Sequence, residues 1–250
     1  MPNLPRSSRL ASPVDTTAYG EYRINRPPGD QRPLYRFTGR IEHGAAGRYH
    51  VYAGWFCPWS HRVTIARELA GLHDAVSVSY VDNARDGRGW AFRERYGPDP
   101  VNGFALLRQA YEKTEPGFDG HISVPTLWDR STGTVLSNDY RTIGIDFATK
   151  FRDVAEPVVE TYPEPLRAEI EDLTGWLAPG VTGDRFAALD ERLAARRYLV
   201  GDAITEADIR VYVAIIRYGP GLAAYPNLQS YARHLYTVPA FRDTTEVFEV

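Results

Sequence analysis

The chain has a single cysteine, Cys57, in the segment Cys57-Pro58-Trp59-Ser60-His61-Arg62, where a predicted strand gives way to a predicted helix. The thiolate is the nucleophilic form of cysteine, and the unpaired N–H groups and dipole at a helix N-terminus stabilise it. We therefore expect a depressed pKa for Cys57, with His61 and Arg62 adding positive charge about one turn further on. A lone cysteine can also be a small buried hydrophobe, but this position favours a nucleophile.

Two further segments could bind a ligand of that thiol. Val124-Pro125 opens a predicted strand, where a proline is awkward unless its edge faces solvent or a ligand. Ser137-Asn138-Asp139-Tyr140 begins a predicted helix. Its hydroxyl, amide and backbone N–H groups suit an anion, although an ordinary N-cap explains them as well.

The elements that position these residues follow an α/β order. Residues 1–45 are rich in Pro, Gly, Arg and Ser and predict an arm over the surface, with a short strand near Leu34–Phe37. Residues 46–150 predict the thioredoxin order β-α-β-α-β-β-α, a right-handed βαβ crossover followed by a hairpin. The predicted strands are Arg48–Ala53, Ala75–Val81, Val124–Trp128 and Thr134–Leu136, and the predicted helices are Pro58–Ala70, Asn102–Tyr111 and about Asn138–Thr149.

Residues 157–250 predict an all-α domain, because 3.6-residue spacing replaces the strand patterns. The helices are predicted over Leu166–Leu177, Arg185–Ala195, Glu206–Tyr218 and Asn227–Leu235. Thr205 and Asp208 have capping-box spacing and Ile204 with Ile209 can form a hydrophobic staple, a structural feature of a central helix.

Composition excludes several classes of function. A net charge of −3 over 250 residues argues against a nucleic-acid partner, and one cysteine excludes internal disulfides, Cys-rich zinc sites and an internal dithiol cycle. The scattered histidines lack metal-ligand spacing, so we expect no metal. No run approaches the roughly 20 apolar residues of a membrane helix, and no apolar run follows the basic N-terminus. We therefore expect a cytoplasmic protein without a membrane partner.

Taken together, these residues resemble the glutathionyl-hydroquinone reductases, the Xi class of glutathione transferases, from about Gly47 to Val247. Besides the cysteine segment, the matching segments are Gly47-Arg48-Tyr49-His50, Asp99-Pro100-Val101-Asn102-Gly103, Val124-Pro125-Thr126-Leu127-Trp128-Asp129, Thr132-Gly133-Thr134 and Ile204-Thr205-Glu206-Ala207-Asp208. The resemblance implies glutathione transferase architecture and a homodimer.

The resemblance also implies a two-step monothiol cycle. Cys57 attacks the sulfur of a glutathionyl-hydroquinone, releases the hydroquinone and becomes a mixed disulfide with glutathione. A second glutathione then restores the thiolate. This exchange needs one reactive thiol and no resolving cysteine, as the single cysteine of the sequence allows.

The same resemblance implies the residues that bind glutathione. Trp90 packs against it, and Arg108 pairs with one of its carboxylates. The backbone of Val124, beside a cis Pro125, holds the cysteinyl unit, and Asp139 with Tyr140 lies near the γ-glutamyl end. Trp90 could instead anchor its loop on the core, and Arg108 could be a solvated helix arginine.

The chain departs from the family in its substrate region. Asp139-Tyr140 stands where the family usually has Glu-Ser. The helical region between Leu166 and Arg185 is short, and Gly180-Val181-Thr182 lacks the active-site tyrosine of the family segment Gly-Val-Tyr-x-x-Gly-Phe. A second family tyrosine is matched by either Tyr231 or Tyr236, as a substrate contact.

Three hypotheses of function follow. The first is glutathione-dependent reductive deglutathionylation of glutathionyl-hydroquinone-like aromatic thioethers. The second keeps the nucleophile but uses another low-molecular-weight thiol, such as mycothiol, or a specialised metabolite. The third is a non-catalytic ligand-binding protein with the transferase fold, which the intact Cys57 and Val124-Pro125 disfavour.

Overall fold

The computed structural model describes residues 10–26, 28–177 and 183–246. The chain divides into two compact units, Met1–Ser60 with Asp74–Ile143 and His61–His73 with Gly144–Val250. The first unit is built on a four-stranded sheet and the second is helical over its described residues. This agrees with the predicted fold class, an α/β thioredoxin-like part followed by an all-α part.

The sheet of the first unit has the strand order β2-β1-β3-β4, in which β1 and β2 are parallel and the other pairs are antiparallel. The two central strands are buried along their whole length, which explains why they are almost continuously apolar or aromatic. The strands are β1 (Tyr49–Ala53), β2 (Ser77–Tyr80), β3 (Thr126–Asp129) and β4 (Thr134–Ser137), and the helices up to residue 150 are α1 (Thr16–Tyr19), α2 (Pro58–Leu69), α3 (Arg108–Thr114) and α4 (Tyr140–Lys150). The second unit contains α2 from His61 onward and α4 from Gly144 onward.

The helix predicted from Asn102 begins later, at Arg108. The Asp99 carboxylate accepts hydrogen bonds from the backbone N–H groups of Val101, Asn102 and Phe104. These bonds hold the segment as a loop. The apolar spacing arose because Phe104 packs on Trp128 of β3 from this loop, with ring centroids 5.8 Å apart.

The short strand predicted at Leu34–Phe37 is also wrong. The backbone of this region forms only an isolated bridge, between Thr38 and Ser137. The N–H of Phe37 instead donates to the Asn138 side chain, and its carbonyl accepts from the Asn138 N–H. One side-chain partner interrupts the ladder, so no strand forms there.

The N-terminal arm is fixed to the first unit by several hydrogen bonds. The Ala11 N–H donates to the Phe92 carbonyl, and the Asp15 N–H donates to the buried Asp86 carboxylate. Arg88 pairs with the same carboxylate at 2.7 Å and also donates to the Pro13 carbonyl. The arm therefore holds the loop that follows β2.

The second unit packs its helices around α7 (Glu206–Ile215), which is the most buried of them. The capping box is present as predicted, since Thr205 and Asp208 each accept the other's backbone N–H. The remaining helices are α5 (Arg167–Leu177), α6 (Gly183–Leu193), α8 (Pro226–Tyr236) and the unpredicted α9 (Pro239–Arg242), with 3-10 turns at Glu164–Leu166 and Gly219–Ala224. None of the helices in the described residues is long and apolar enough to cross a membrane.

Candidate active site

Cys57 lies directly before α2 and is only 6% exposed. The backbone N–H of Ser60, in the first turn of the helix, lies 3.5 Å from its sulfur. The tight turn before it requires glycine, because a Cβ on Gly54 would lie 2.6 Å from the Phe56 ring. The Ser60 hydroxyl accepts the Gly54 N–H at 3.1 Å and fastens this turn. The sulfur therefore faces helix donors.

The Val124–Pro125 peptide bond is cis, as the resemblance predicts, and it lies beside Cys57. The Cys57 thiol donates to the Val124 carbonyl across 3.3 Å. The neighbouring Ser123 carbonyl is held by the hydroxyls of Tyr111 and Thr126. No acceptor among the described residues takes the Val124 N–H. A backbone donor and a backbone acceptor are thus available for a peptide-like ligand.

The residues at the start of α4 form local hydrogen bonds and one ion pair. The Asn138 amide binds Phe37 and Ser123, and the Ser137 hydroxyl accepts the Asp139 N–H. Burial raises the pKa of Asp139, but its hydrogen bonds and ion pair with Arg141, at 2.7 Å, lower it overall. Asp139 is therefore ionised, and Arg141 balances part of its negative charge.

Tyr140 is packed between two aromatic rings. It stacks on Trp59 with centroids 4.3 Å apart and meets the Tyr35 ring edge-on at 5.5 Å. Burial, and then the charges of Tyr140 and Cys57, raise the pKa of Tyr35. Sequence reasoning missed Tyr35, because it lies in the arm, where no periodic pattern marks buried positions.

Trp90 is brought to the site through Phe56, the residue before Cys57. The two rings stack with centroids 4.4 Å apart, and the Trp90 carbonyl accepts the Leu107 N–H. Arg108 is placed differently. It lies on α3 with about a third of its side chain exposed, and its partner is Glu112 at 3.7 Å, one turn along the helix.

The two substrate tyrosines belong to the second unit and differ in environment. Tyr231 is 4% exposed, and its hydroxyl donates to the Asp208 carboxylate at 2.5 Å. Burial raises the pKa of Tyr231 well above its ordinary value. Its hydroxyl is committed to the capping-box aspartate, which argues against a substrate role. Tyr236 ends α8 and is half-buried. Gly180-Val181-Thr182 lies outside the described residues.

The histidines and acids of the described residues do not gather into a group of three or more that could hold a metal.

Comparison with known proteins agrees with this geometry. The family described as "Glutathione S-transferase, N-terminal domain" matches residues 56–148, and "Glutathione S-transferase, C-terminal domain" matches residues 185–234. The chain is 34% identical to glutathionyl-hydroquinone reductase PcpF of Sphingobium chlorophenolicum, over 74% of this chain and 70% of PcpF.

Solved structures give the same result. The Xi glutathione transferase of Phanerochaete chrysosporium matches with a TM-score of 0.79 and 30% identity, covering 87% of this chain and 89% of that one. The glutathione-bound structure of YqjG from Escherichia coli K-12 matches with a TM-score of 0.76 and 28% identity, covering 82% and 78%. The chain therefore belongs to the glutathionyl-hydroquinone reductases, the Xi class of glutathione transferases.

Proposed function

We propose that the protein removes glutathione from glutathionyl-hydroquinone-like aromatic thioethers, with Cys57 as the nucleophile and a second glutathione as the reductant. The observation that carries this proposal is the position of the Cys57 sulfur, 3.5 Å from a helix N–H and 3.3 Å from the carbonyl that precedes the cis proline. The name of PcpF and the glutathione in the YqjG structure support the same reaction.

Ligand binding converts the Cys57 thiol into the reactive thiolate. With no ligand, the Cys57 S–H donates to the Val124 carbonyl, which favours the protonated form. A glutathionyl ligand whose cysteinyl amide pairs with the Val124 backbone takes over that carbonyl. The sulfur then retains the Ser60 N–H as its partner, which favours the thiolate.

The first step transfers the glutathionyl group to the protein. The Cys57 thiolate attacks the sulfur of the thioether, and an S–S bond forms while the aryl C–S bond breaks. The ring carbon keeps the electron pair of the broken bond and takes a proton from water, so the hydroquinone leaves. The product on the protein is a mixed disulfide between Cys57 and glutathione.

The second step regenerates the enzyme. The thiolate of a second glutathione attacks the glutathionyl sulfur of the mixed disulfide, and Cys57 leaves as a thiolate. The sum is one conjugate and one glutathione converted into one hydroquinone and one glutathione disulfide. The ring carbon gains the two electrons that the two thiols lose, so no other reductant is needed.

The remaining predicted contacts position the ligand. The Asp139 carboxylate is suited to the ammonium of the γ-glutamyl end, beside the stacked Tyr140 ring. Trp90 offers an aromatic face next to Cys57 through Phe56. Arg108 supplies positive charge to a carboxylate. We retain these assignments as part of the proposal, together with Tyr236 as a contact of the aromatic substrate.

The test is turnover of glutathionyl-menadiol by wild type and Cys57→Ala, followed as glutathione disulfide formed. We expect Cys57→Ala to lose about a thousandfold or more in kcat, because the nucleophile has no replacement. Val158→Ala, at a side chain 71% exposed, is the control for truncation of an apolar group. The proposal fails if Cys57→Ala keeps more than a tenth of the wild-type rate.

We also propose that the protein works in the cytoplasm as a homodimer. The cycle consumes reduced glutathione and needs an unoxidised cysteine, which reducing compartments maintain. Dimerisation is typical of the transferase fold. Light scattering that gives the mass of one chain at micromolar concentration would refute the dimer.

A further inference from the structure

Arg85 has an unusual environment for an arginine. Its guanidinium lies between two aromatic rings, 4.1 Å from the centroid of Tyr22 and 4.2 Å from that of Trp90. Within the described parts of the chain it forms no ion pair and no hydrogen bond. Its neighbours Arg88 and Arg93 both reach the Asp86 carboxylate, at 2.7 and 3.9 Å. Arg85 is thus held by aromatic rings, and its N–H groups have no acceptor among the described residues.

Tyr22 and its partner His121 carry no negative charge. The Tyr22 hydroxyl contacts Nδ1 of His121 at 3.1 Å and accepts the Ile122 N–H. Burial, and then the charge of Arg85, lower the pKa of His121 to about 4, so this ring is neutral at pH 7. Burial also lowers the pKa of Arg85. A partly desolvated cation without an anion is unfavourable, and a bound carboxylate would remove that cost.

The position of Arg85 connects it to the thiol site. Trp90 presents one face to Arg85 and stacks on Phe56, the neighbour of Cys57. Trp90, Cys57 and Val124 also belong to one buried cluster. If Val124 holds the cysteinyl unit and the acidic Asp139 receives the ammonium end, the opposite end of the ligand carries the glycyl carboxylate.

We propose that Arg85, held between Tyr22 and Trp90, binds the glycyl carboxylate of glutathione, and that the N-terminal arm therefore forms one wall of the thiol site. This inference rests on the proposed function. It adds Arg85 to Arg108 as a group that can bind a carboxylate of glutathione, and Arg108 is also paired with Glu112 on α3. Arg85 then selects thiols with a terminal carboxylate over thiols that carry a neutral sugar there, such as mycothiol.

The experiment compares glutathionyl-menadiol with its glycyl ethyl ester, in wild type, Arg85→Met and Arg95→Met. We expect wild type to prefer the free acid about tenfold in kcat/KM, the scale of one charge-assisted hydrogen bond. Arg85→Met should lose this preference through a higher KM for the acid, with the ester unchanged. Arg95, an exposed arginine 5.2 Å above the Tyr96 ring, is the matched control and should keep the preference.

The outcomes separate this inference from the proposed function. A wild-type protein that converts neither compound contradicts the proposed function. A wild-type protein that converts both equally well, or an Arg85→Met variant that keeps the preference, contradicts the role of Arg85 alone. Because the wild-type comparison needs no variant, the inference can be refuted even if Arg85→Met does not fold.

Discussion

Cys57 has one partner that favours the thiol and another that favours the thiolate. The Val124 carbonyl accepts from the S–H, whereas the Ser60 N–H donates to the sulfur. Since a ligand amide competes for the carbonyl, occupancy of the site shifts this balance toward the thiolate. The reactivity of the residue is therefore tied to the presence of its substrate.

At the same scale, the two tyrosines of α8 should separate stability from activity. Tyr231→Phe removes a hydroxyl bonded to the buried Asp208, so we expect a loss of about 1–3 kcal/mol in the free energy of unfolding. Its KM should stay unchanged. Tyr236→Phe should instead lower kcat/KM for the conjugate. Urea denaturation and steady-state kinetics on both variants test this. The assignment is reversed if Tyr231→Phe is stable but slow.

The sequence was informative about single residues wherever secondary structure fixed their place. Cys57 and Val124-Pro125 were identified because each lies at the start of a predicted helix or strand. Tyr22, Tyr35 and Arg85 were missed, since they lie in aperiodic segments whose mutual contacts depend on tertiary structure. The sequence could not decide between Tyr231 and Tyr236, because it does not reveal that Asp208 accepts the hydroxyl of Tyr231.

At the scale of elements, His61 of α2 is bonded to other residues of the second unit, to which it belongs. Nδ1 of this ring lies 3.2 Å from the Arg217 guanidinium, so Nδ1 is the acceptor. Nε2 then carries the proton and donates to the Thr245 hydroxyl at 3.2 Å. Burial, and then the charge of Arg217, lower the pKa of His61 to about 3. The neutral ring links α2 to the residues that follow α7 and α9.

This linkage predicts a pH dependence of stability. Between pH 6.5 and 3 the unfolded chain protonates His61 and the folded chain does not, so the free energy of unfolding falls as the pH falls. The contribution is complete above pH 6.5 and decreases by up to about 1.4 kcal/mol per pH unit below it. His61→Gln should reduce this slope, as measured by urea denaturation from pH 4 to 7.

The control is His73→Gln, because the His73 side chain is 75% exposed. This variant should have the same slope of unfolding free energy against pH as the wild type. His121, whose pKa is about 4, keeps its own contribution in both variants. Equal slopes for wild type and His61→Gln would show that His61 is not held neutral in the folded protein.

The elements themselves were predictable where periodicity was sustained. The β-α-β-α-β-β-α order and the four predicted helices of the second unit were confirmed, apart from boundaries. The prediction that a helix begins at Asn102 was wrong, because a loop whose N–H groups bond to Asp99 can also place apolar residues at helical spacing. α9 was too short for its period to be recognised.

At the scale of the whole molecule, the arm and the loop after β2 form a single structural feature. A Cβ on Gly87 would overlap the Tyr19 carbonyl of α1, so only glycine allows the arm to approach this closely. Arg88 packs on the Tyr19 ring with its guanidinium 3.9 Å from the centroid. The arm therefore holds the loop that carries Arg85 and Trp90, a role that composition alone did not predict.

The identity of the thiol is the central question for the molecule as a whole. The relatives are named for glutathione chemistry, and Arg85 favours a ligand that ends in a carboxylate. The bulky Tyr140, in place of a small hydroxyl, is the residue that favours a different thiol or substrate. In both hypotheses the sulfur of Cys57 forms the mixed disulfide with the low-molecular-weight thiol.

The most direct test is the intact mass of the protein after incubation with glutathionyl-menadiol and an acid quench. We predict an increase equal to one glutathione, located at Cys57 by peptide mapping and removed by added glutathione. An unmodified protein whose Cys57 still reacts with iodoacetamide at neutral pH would contradict glutathione as the transferred group and point to another thiol or substrate.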